Sequence, residues 1–191
     1  MVKCKCGDFM FKKVNILDEK DKHLRIKSKA FDTPVSKEEK ELVEQIIKHL
    51  TYSQIEEYSR KYDLRPGMGL AFPQVGINKR LIVIVDEYQK GKFDNYVVVN
   101  PKIVSHSEEM IAADAGEGCL SVNREVEGHV PRFARVTISG LDLDGNYIKI
   151  RAREDLSIAF QHEIDHLDGI LFFDRINKKK PFYNENEIRL I

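Results

Sequence analysis

Residues 155–167 read DLSIAFQHEIDHL, and this stretch decides the fold. If it forms a helix, its apolar side chains lie on nearly every side of that helix. A helix that is apolar all round is buried, because no face of it suits water. The apolar residues are Leu156, Ile158, Ala159, Phe160, Ile164 and Leu167. The sequence therefore predicts a central buried helix from about Asp155 to Leu167.

The same helix contains the pattern H-E-x-x-H, formed by His162, Glu163 and His166. Residues four apart stack on one face of a helix, so both imidazoles can reach one metal ion. Glu163 follows the first histidine and can act as general base without being a ligand. The alternative is a pair of core histidines bonded to backbone. Burying three polar side chains without a shared partner would cost several kcal/mol, so the pattern favours a single-metal hydrolase site.

A mononuclear catalytic metal site needs a third protein ligand and one open position. One H-E-x-x-H class continues x-x-G-x-x-H; here Gly169 is present, but position 172 is Phe172. A downstream carboxylate, Glu185 or Glu187, is a second possibility, although no predicted helix aims it at the site. Cys119 is the favoured ligand, because a cytosolic thiolate is a good soft ligand. A lone cysteine is otherwise most often a small core residue.

An N-terminal helix is predicted from its capping signal. Ser36 and Glu39 have the spacing of a capping box, and an apolar stripe at helical period follows. This helix, or a second one, is expected to continue through Ile55 and Tyr58 until the stretch Asp63–Gly67 ends it.

Most of the chain between the two helical regions has the pattern of strands and turns. The Asp144-Gly145 pair between two alternating runs predicts a β-hairpin. The other predicted strands are Leu81–Val85, Tyr96–Val99, Arg135–Ser139 and the tail Ile188–Ile191. We therefore predict an α+β fold, with antiparallel β-sheets around the central helix, and a single domain over residues 1–191.

Composition excludes several other classes of protein. The chain of 191 residues is 42% hydrophobic and 32% charged, with 31 basic and 31 acidic residues, which gives no general attraction to nucleic acid or membranes. The longest aliphatic run, Leu81–Val85, is far too short to span a bilayer. The N-terminus lacks the apolar segment of a signal peptide, so a cytoplasmic protein is expected. Cys4 and Cys6 are expected to be free thiols.

Three segments together resemble a known family. The stretches GMGLAFPQ at residues 67–74, EGCLS at 117–121 and QHEIDH at 161–166 are similar, in this order, to the three signature motifs of the peptide deformylases. The likeness runs from about Leu24 to Asp174. The stretch between the N-terminal helix and the first motif, and the strand-like C-terminus, resemble the longer type 2 branch found in Gram-positive bacteria and their relatives. The first 20 residues show no usable likeness.

The resemblance implies a ligand set and a metal. Cys119, His162 and His166 would bind one divalent ion, with Fe²⁺ the natural one and Ni²⁺, Co²⁺ or Zn²⁺ able to replace it. Glu163 would take a proton from the attacking water and pass it to the leaving amine.

The resemblance also assigns residues around the metal. The Gln74 side-chain amide and the Leu120 N–H would stabilise the oxyanion. Met68, Gly69 and Gly118 would contact the substrate, and the two glycines would let its backbone approach closely. Glu117 and Arg132 would pair and support the site from behind.

The implied activity is removal of the N-formyl group from the N-terminal methionine of nascent polypeptides, releasing formate, with the ribosome as the expected setting. Two rival functions stay open: an H-E-x-x-H metalloprotease and a catalytically idle metal-binding fold. The family motif usually has alanine at position 72, where this chain has Phe72. We predict that Phe72 is a tolerated packing variant.

Overall fold

The computed structural model describes residues 11–184 and 186–191. Within this part of the chain, three α-helices form: α1 at Lys37–Gln54, α2 at Glu56–Tyr62 and α3 at Glu154–Leu167. Short 3₁₀ turns lie at Lys22–Arg25, Phe72–Val75 and Phe172–Arg175. Cys4 and Cys6 lie outside the described residues. No helix in the described ranges is long and apolar enough to cross a membrane.

The start of α1 matches the predicted capping box. The Ser36 hydroxyl accepts a hydrogen bond from the Glu39 N–H, and the Glu39 carboxylate accepts one from the Ser36 N–H. The helix ends at Ile55, where the backbone is extended, and α2 begins one residue later. Asp63 ends α2 in the left-handed conformation with φ 50°. The expectation of a second helix ending near Asp63 is therefore confirmed.

Two sheets make up the β structure. Eight strands are described: β1 Gly69–Ala71, β2 Leu81–Gln89, β3 Lys92–His106, β4 Met110–Ala112, β5 Arg132–Phe133, β6 Arg135–Leu141, β7 Tyr147–Arg153 and β8 Arg189–Leu190. The larger sheet is antiparallel in the order β1-β2-β3-β6-β7, and the smaller has the order β5-β4-β8. The predicted strands and the hairpin at Asp144-Gly145 are all present.

Among the eight described strands, the pairing of β8 with β4 is the one departure from antiparallel order. Ile111 and Ala112 of β4 pair with Arg189 and Leu190 in parallel. The sequence predicted a C-terminal strand but not its direction, because a strand two residues long has no pattern that names its partner. The short strands β1, β4 and β5 were missed for the same reason.

The larger sheet separates two apolar cores. Leu81, Val83 and Val85 of β2 face α1, whereas Ile82 and Ile84 face α3. This follows from the alternation of side chains along a strand. Every residue of α3 from Ser157 to Leu167 is buried, which confirms the predicted central helix. The sheet thus holds α3, and the polar groups on it, away from water.

Phe72 belongs to the core on the α1 side. Its side chain is fully buried, and its ring centroid lies 5.8 Å from that of Phe31. The neighbouring Ala71 belongs to the other core, against α3. The extra ring therefore does not occupy the side of the sheet that α3 covers.

Candidate metal centre

Three predicted ligands meet beside α3. The helix supplies His162 and His166, and the loop between β4 and β5 supplies Cys119. The ligand atoms of these residues all lie within 4.8 Å of one another, and Cys119 Sγ is 3.3 Å from His166 Nε2. The two imidazole rings have their centroids 5.0 Å apart, as the four-residue spacing on a helix requires.

The chemistry of this set fits a divalent transition metal. One thiolate and two imidazoles are the borderline and soft donors that such ions prefer. Within the described residues, the buried Glu163 Oε2 and His166 Nδ1 have no hydrogen-bond partner. Burial lowers the pKa of His166 well below its ordinary value, whereas Cys119 and Glu117 outweigh burial at His162 and raise its pKa. The donor atoms of Cys119, His162 and His166, and their closeness to one another, therefore match a metal site.

Glu163 lies against the first strand of the large sheet. A Cβ atom added to Gly69 would be 2.4 Å from Glu163 Oε1, so only glycine leaves room for this carboxylate. Burial raises the pKa of Glu163 to about 7, and that value suits a group that must both accept and release a proton. Gly69 therefore leaves room for Glu163, and its predicted contact with a substrate stays a prediction.

A buried chain of charges supports His162. Arg132 donates to Glu117 through Nε at 2.7 Å and through Nη2 at 2.9 Å, and Glu117 Oε2 lies 2.8 Å from His162 Nδ1. Burial alone would raise the pKa of Glu117, but the bonds from Arg132 and His162 bring it down to about 2. This carboxylate therefore fixes the imidazole, with its Nε2 atom on the side away from Glu117.

Sequence reasoning missed the continuation of that chain. Arg132 also donates to Asp165 at 2.6 Å, and Arg175 donates to the same carboxylate at 2.5 Å. Asp165 is one of the two residues between Glu163 and His166 in the H-E-x-x-H pattern, and no role was predicted for it. The signal that pointed to it was its charge within an apolar helix, because a buried carboxylate needs cationic partners.

Gln74 is held with its amide nitrogen toward Cys119. Its Oε1 accepts a hydrogen bond from the Ala71 N–H at 2.8 Å, which settles the orientation of the amide. Its Nε2 donates to Ser121 Oγ at 3.1 Å and lies 3.6 Å from Cys119 Sγ. A donor at this place is close to the three ligands, as the oxyanion prediction requires.

A cleft of about 1010 Å³ opens beside the ligand cluster, and two of the three ligands, Cys119 and His162, line it. Met68, Gly69, Gly118 and Leu120 line it, together with Gln74 and Glu163. Apart from its two chain neighbours, no atom of residues 11–184 and 186–191 lies within 4 Å of a Cβ added to Gly118, so this backbone is open to the cleft. All the predicted substrate-binding and catalytic residues are therefore brought to one cavity.

The other candidate ligands lie elsewhere. Phe172 occupies the place of the third histidine in the alternative pattern, and its ring lies flat beside His162 with centroids 6.0 Å apart. Glu187 forms an ion pair with Lys180. Glu185 lies outside the described residues. Of the candidates that the structure describes, only Cys119 completes the set.

Comparison with known proteins shows the family of this chain. The sequence model of the polypeptide deformylase family matches residues 13–182. The chain belongs to the polypeptide deformylase family. The match begins before Leu24 and ends after Asp174, so it is longer than the likeness inferred from the motifs. It also includes residues 13–20, for which no likeness was expected.

Individual deformylases are similar over most of their length. A peptide deformylase of Oceanobacillus iheyensis is 50% identical over 151 residues, which cover 79% of this chain and 82% of that one. Peptide deformylase 2 of Bacillus subtilis is 44% identical over 177 residues, covering 92% and 96%. The crystal structure of a Thermotoga maritima peptide deformylase has a TM-score of 0.69 at 31% identity, covering 87% of this chain and 99% of that one.

These relationships agree with the predicted type 2 branch and with the α+β fold. Deformylases are metal-dependent hydrolases that remove the N-formyl group from peptides, and the chain is an enzyme of that kind. Neither the metalloprotease nor the idle metal-binding fold is favoured.

Proposed function

We propose that this deformylase activity is carried out at the cleft over α3, with Cys119, His162 and His166 as metal ligands and Glu163 as the proton carrier. The observation that carries the proposal is the meeting of a thiol and two imidazoles within 4.8 Å, next to a buried carboxylate with one unpaired oxygen. We also propose that residues 1–191 form one catalytic domain.

The metal ion would supply Lewis acidity, which acidifies a water and polarises the formyl oxygen. Glu163 would accept the proton of the attacking water and deliver it to the leaving amine. Its burial and its place against Gly69 support this role, because a carboxylate confined in this way has few other partners. Glu117 and Arg132 would hold the His162 ring in the orientation that ligation needs.

Charge that develops on the formyl oxygen would be stabilised by the Gln74 amide and the Leu120 N–H. One such donor is typically worth about 10²- to 10³-fold in rate. Met68 and Gly118 would contact the peptide along the cleft, where the open backbone of Gly118 permits a close, strand-like approach.

We further propose Fe²⁺ as the resident ion, replaceable by Ni²⁺, Co²⁺ or Zn²⁺. The expected substrates are formyl-methionyl nascent polypeptides, met at the ribosome in the cytoplasm. The family relationship and the sulfur-containing ligand set support these assignments.

The test compares two peptides with protein purified without air. Formyl-Met-Ala should release formate, whereas Met-Ala-Ser should not be cleaved. Cleavage of the second peptide would restore the metalloprotease alternative.

A Glu163→Gln variant tests the proton carrier. It should keep its metal, measured by elemental analysis, while turnover falls by about 10²-fold or more. Loss of the metal together with the carboxylate would mean that Glu163 is a ligand, and the assignment would then be wrong.

A further inference from the structure

Arg65 makes an unusual set of contacts for a surface arginine. Its Nη1 donates to the Val122 carbonyl at 2.9 Å, and its Nη2 donates to the carbonyls of Cys119 at 2.9 Å and Leu120 at 2.7 Å. No ion pair of Arg65 with a carboxylate occurs among residues 11–184 and 186–191. The guanidinium is therefore committed to three backbone oxygens of one short segment.

That segment is a tight turn that carries two groups of the site. The Val122 N–H donates to the Cys119 carbonyl at 3.1 Å, which closes the turn. Cys119 brings the thiol, and Leu120 brings the backbone N–H assigned to the oxyanion. Within the described chain no hydrogen bond uses the Leu120 N–H, so this donor is free to meet a ligand.

The chain around Arg65 is fixed on both sides. On one side, the Leu64 N–H and carbonyl bond to Ser59 of α2 at 2.9 and 2.8 Å. On the other side, the Gly67 carbonyl accepts from Gln54 of α1 at 3.2 Å, and the Gly67 N–H donates to Ser53 at 3.2 Å.

Gly67 also contacts the Cys119–Val122 turn directly. A Cβ on Gly67 would lie 2.7 Å from Leu120 Cδ1, so the Leu120 side chain packs against this backbone. The segment 65–67 thus connects the two N-terminal helices to the ligand-bearing turn.

We propose that Arg65 is a positioning residue whose guanidinium holds the Cys119–Val122 turn, and thereby sets the Cys119 thiol and the Leu120 N–H in place. This inference rests on the roles proposed above for Cys119 and Leu120. A planar guanidinium can donate to several fixed carbonyls at once, which a single ammonium on a flexible stem does less well. Its carbonyl partners are neutral, so its effect depends on geometry more than on charge.

The experiment compares Arg65→Ala and Arg65→Lys with Arg60→Ala. Arg60 is an exposed arginine of α2 that pairs with Glu56, so it controls for the loss of a nearby charge. Each protein is prepared in its iron form for kinetics and in its cobalt form for spectroscopy. The spectroscopic signal is the thiolate-to-cobalt charge-transfer band, which reports on the Cys119 thiolate.

For Arg65→Ala we expect kcat to fall about 10- to 100-fold, the size typical for a lost partner behind a metal ligand. KM should stay within about twofold, because the affected donor acts on the transition state. The cobalt band should shift or weaken. Arg65→Lys should recover part of kcat, and Arg60→Ala should match the unmodified protein in all three measurements.

Three results would overturn the proposal. The first is an Arg65→Ala protein with the kcat and cobalt band of Arg60→Ala, even if its melting temperature is lower. The second is a raised KM with normal kcat, which would make Arg65 a substrate contact. The third is full activity in Arg65→Lys, which would mean that charge alone matters. If Arg65→Ala does not fold, Arg65→Gln and Arg65→Lys are judged by the same criteria.

The proposed ligand set has a separate test in the unmodified protein. If that protein shows no thiolate-to-cobalt band, Cys119 is not a ligand and the proposed site fails. If the band is present and survives in every Arg65 variant, only the positioning role fails.

Discussion

Replacing Phe72 with alanine should damage the fold and spare the chemistry. Phe72 is fully buried in the core between the large sheet and α1, and it packs on Phe31 at 5.8 Å. Lys79 covers the Phe31 ring with its ammonium 4.6 Å from the centroid, so the pair lies in a closed environment. Ala71, one residue earlier, faces α3 on the opposite side of the sheet.

The magnitude follows from the size of the cavity. A buried phenylalanine replaced by alanine typically costs about 3–5 kcal/mol in the free energy of unfolding. We expect the upper part of this range, because the side chains around Phe72 belong to β2 and α1 and cannot move far enough to fill the cavity. The catalytic groups should not move, because Gln74 is fixed by the Ala71 N–H and by Ser121. We therefore expect kcat/KM to change by less than about threefold, which is under about 0.7 kcal/mol.

Urea denaturation and steady-state kinetics on one protein preparation would measure both quantities. Phe72→Leu serves as the graded control, with an intermediate loss of stability because leucine fills part of the cavity. Unchanged stability with a shifted KM would show that the ring faces the cleft. A gain of about a hundredfold in turnover on Phe72→Ala would show that the ring obstructs catalysis, and the view of Phe72 as a tolerated packing variant would be wrong.

The other predictions concern oxidation, acidity and space. The iron form should lose activity in air faster than the nickel form, because Cys119 and Fe²⁺ can both be oxidised; equal half-lives would count against an oxidisable iron–thiolate site. Burial lowers the pKa of His49 to about 4, below its unfolded value near 6.5. Between these two pH values the unfolded chain binds more protons than the folded chain. The free energy of unfolding therefore falls as the pH drops from about 6.5 to 4. The loss of stability is at most about 3 kcal/mol. In His49→Asn the side-chain oxygen can still accept the hydrogen bond from the Val14 N–H. The denaturation midpoint of this variant should therefore not show the fall with pH that His49 causes. Gly69→Ala should displace Glu163 and lower kcat by about 10²-fold with the metal content unchanged; normal kcat would refute the tight contact.

The elements that the sequence predicted well are those whose pattern is local. The capping box of α1 needs only Ser36 and Glu39, and the apolar surround of α3 is visible in residues 155–167 alone. The parallel pairing of β4 with β8 could not be predicted in this way. It joins Ile111 to Arg189 across most of the second half of the chain, and two-residue strands have too short a pattern to name a partner.

In the site, too, local features were predicted and long-range contacts were not. The spacing of His162 and His166 on one helix predicts that their rings meet, whatever the rest of the fold does. The roles of Asp165 and Arg65 were not predicted, because their partners are distant in sequence. The partners of Arg65 are also backbone carbonyls, which any residue type can provide. The charge of Asp165 within an apolar helix indicated that it needed a cationic partner, but the partners of both residues are visible only in the folded structure.

The buried polar groups of α3 explain why fold and site are inseparable. His162 has Glu117 as its partner, Asp165 has Arg132 and Arg175, and the Gln161 amide bonds to the Phe133 carbonyl at 3.0 Å. Each of these partners comes from outside the helix. Burying the three groups unpaired would cost a free energy comparable to the whole net stability of a domain of this size. The chain can therefore bury α3 only in the arrangement that also brings Cys119 and Gln74 to the cleft. Because an unfolded chain has no such preformed site, the free energy of metal binding adds to the stability of this same helix.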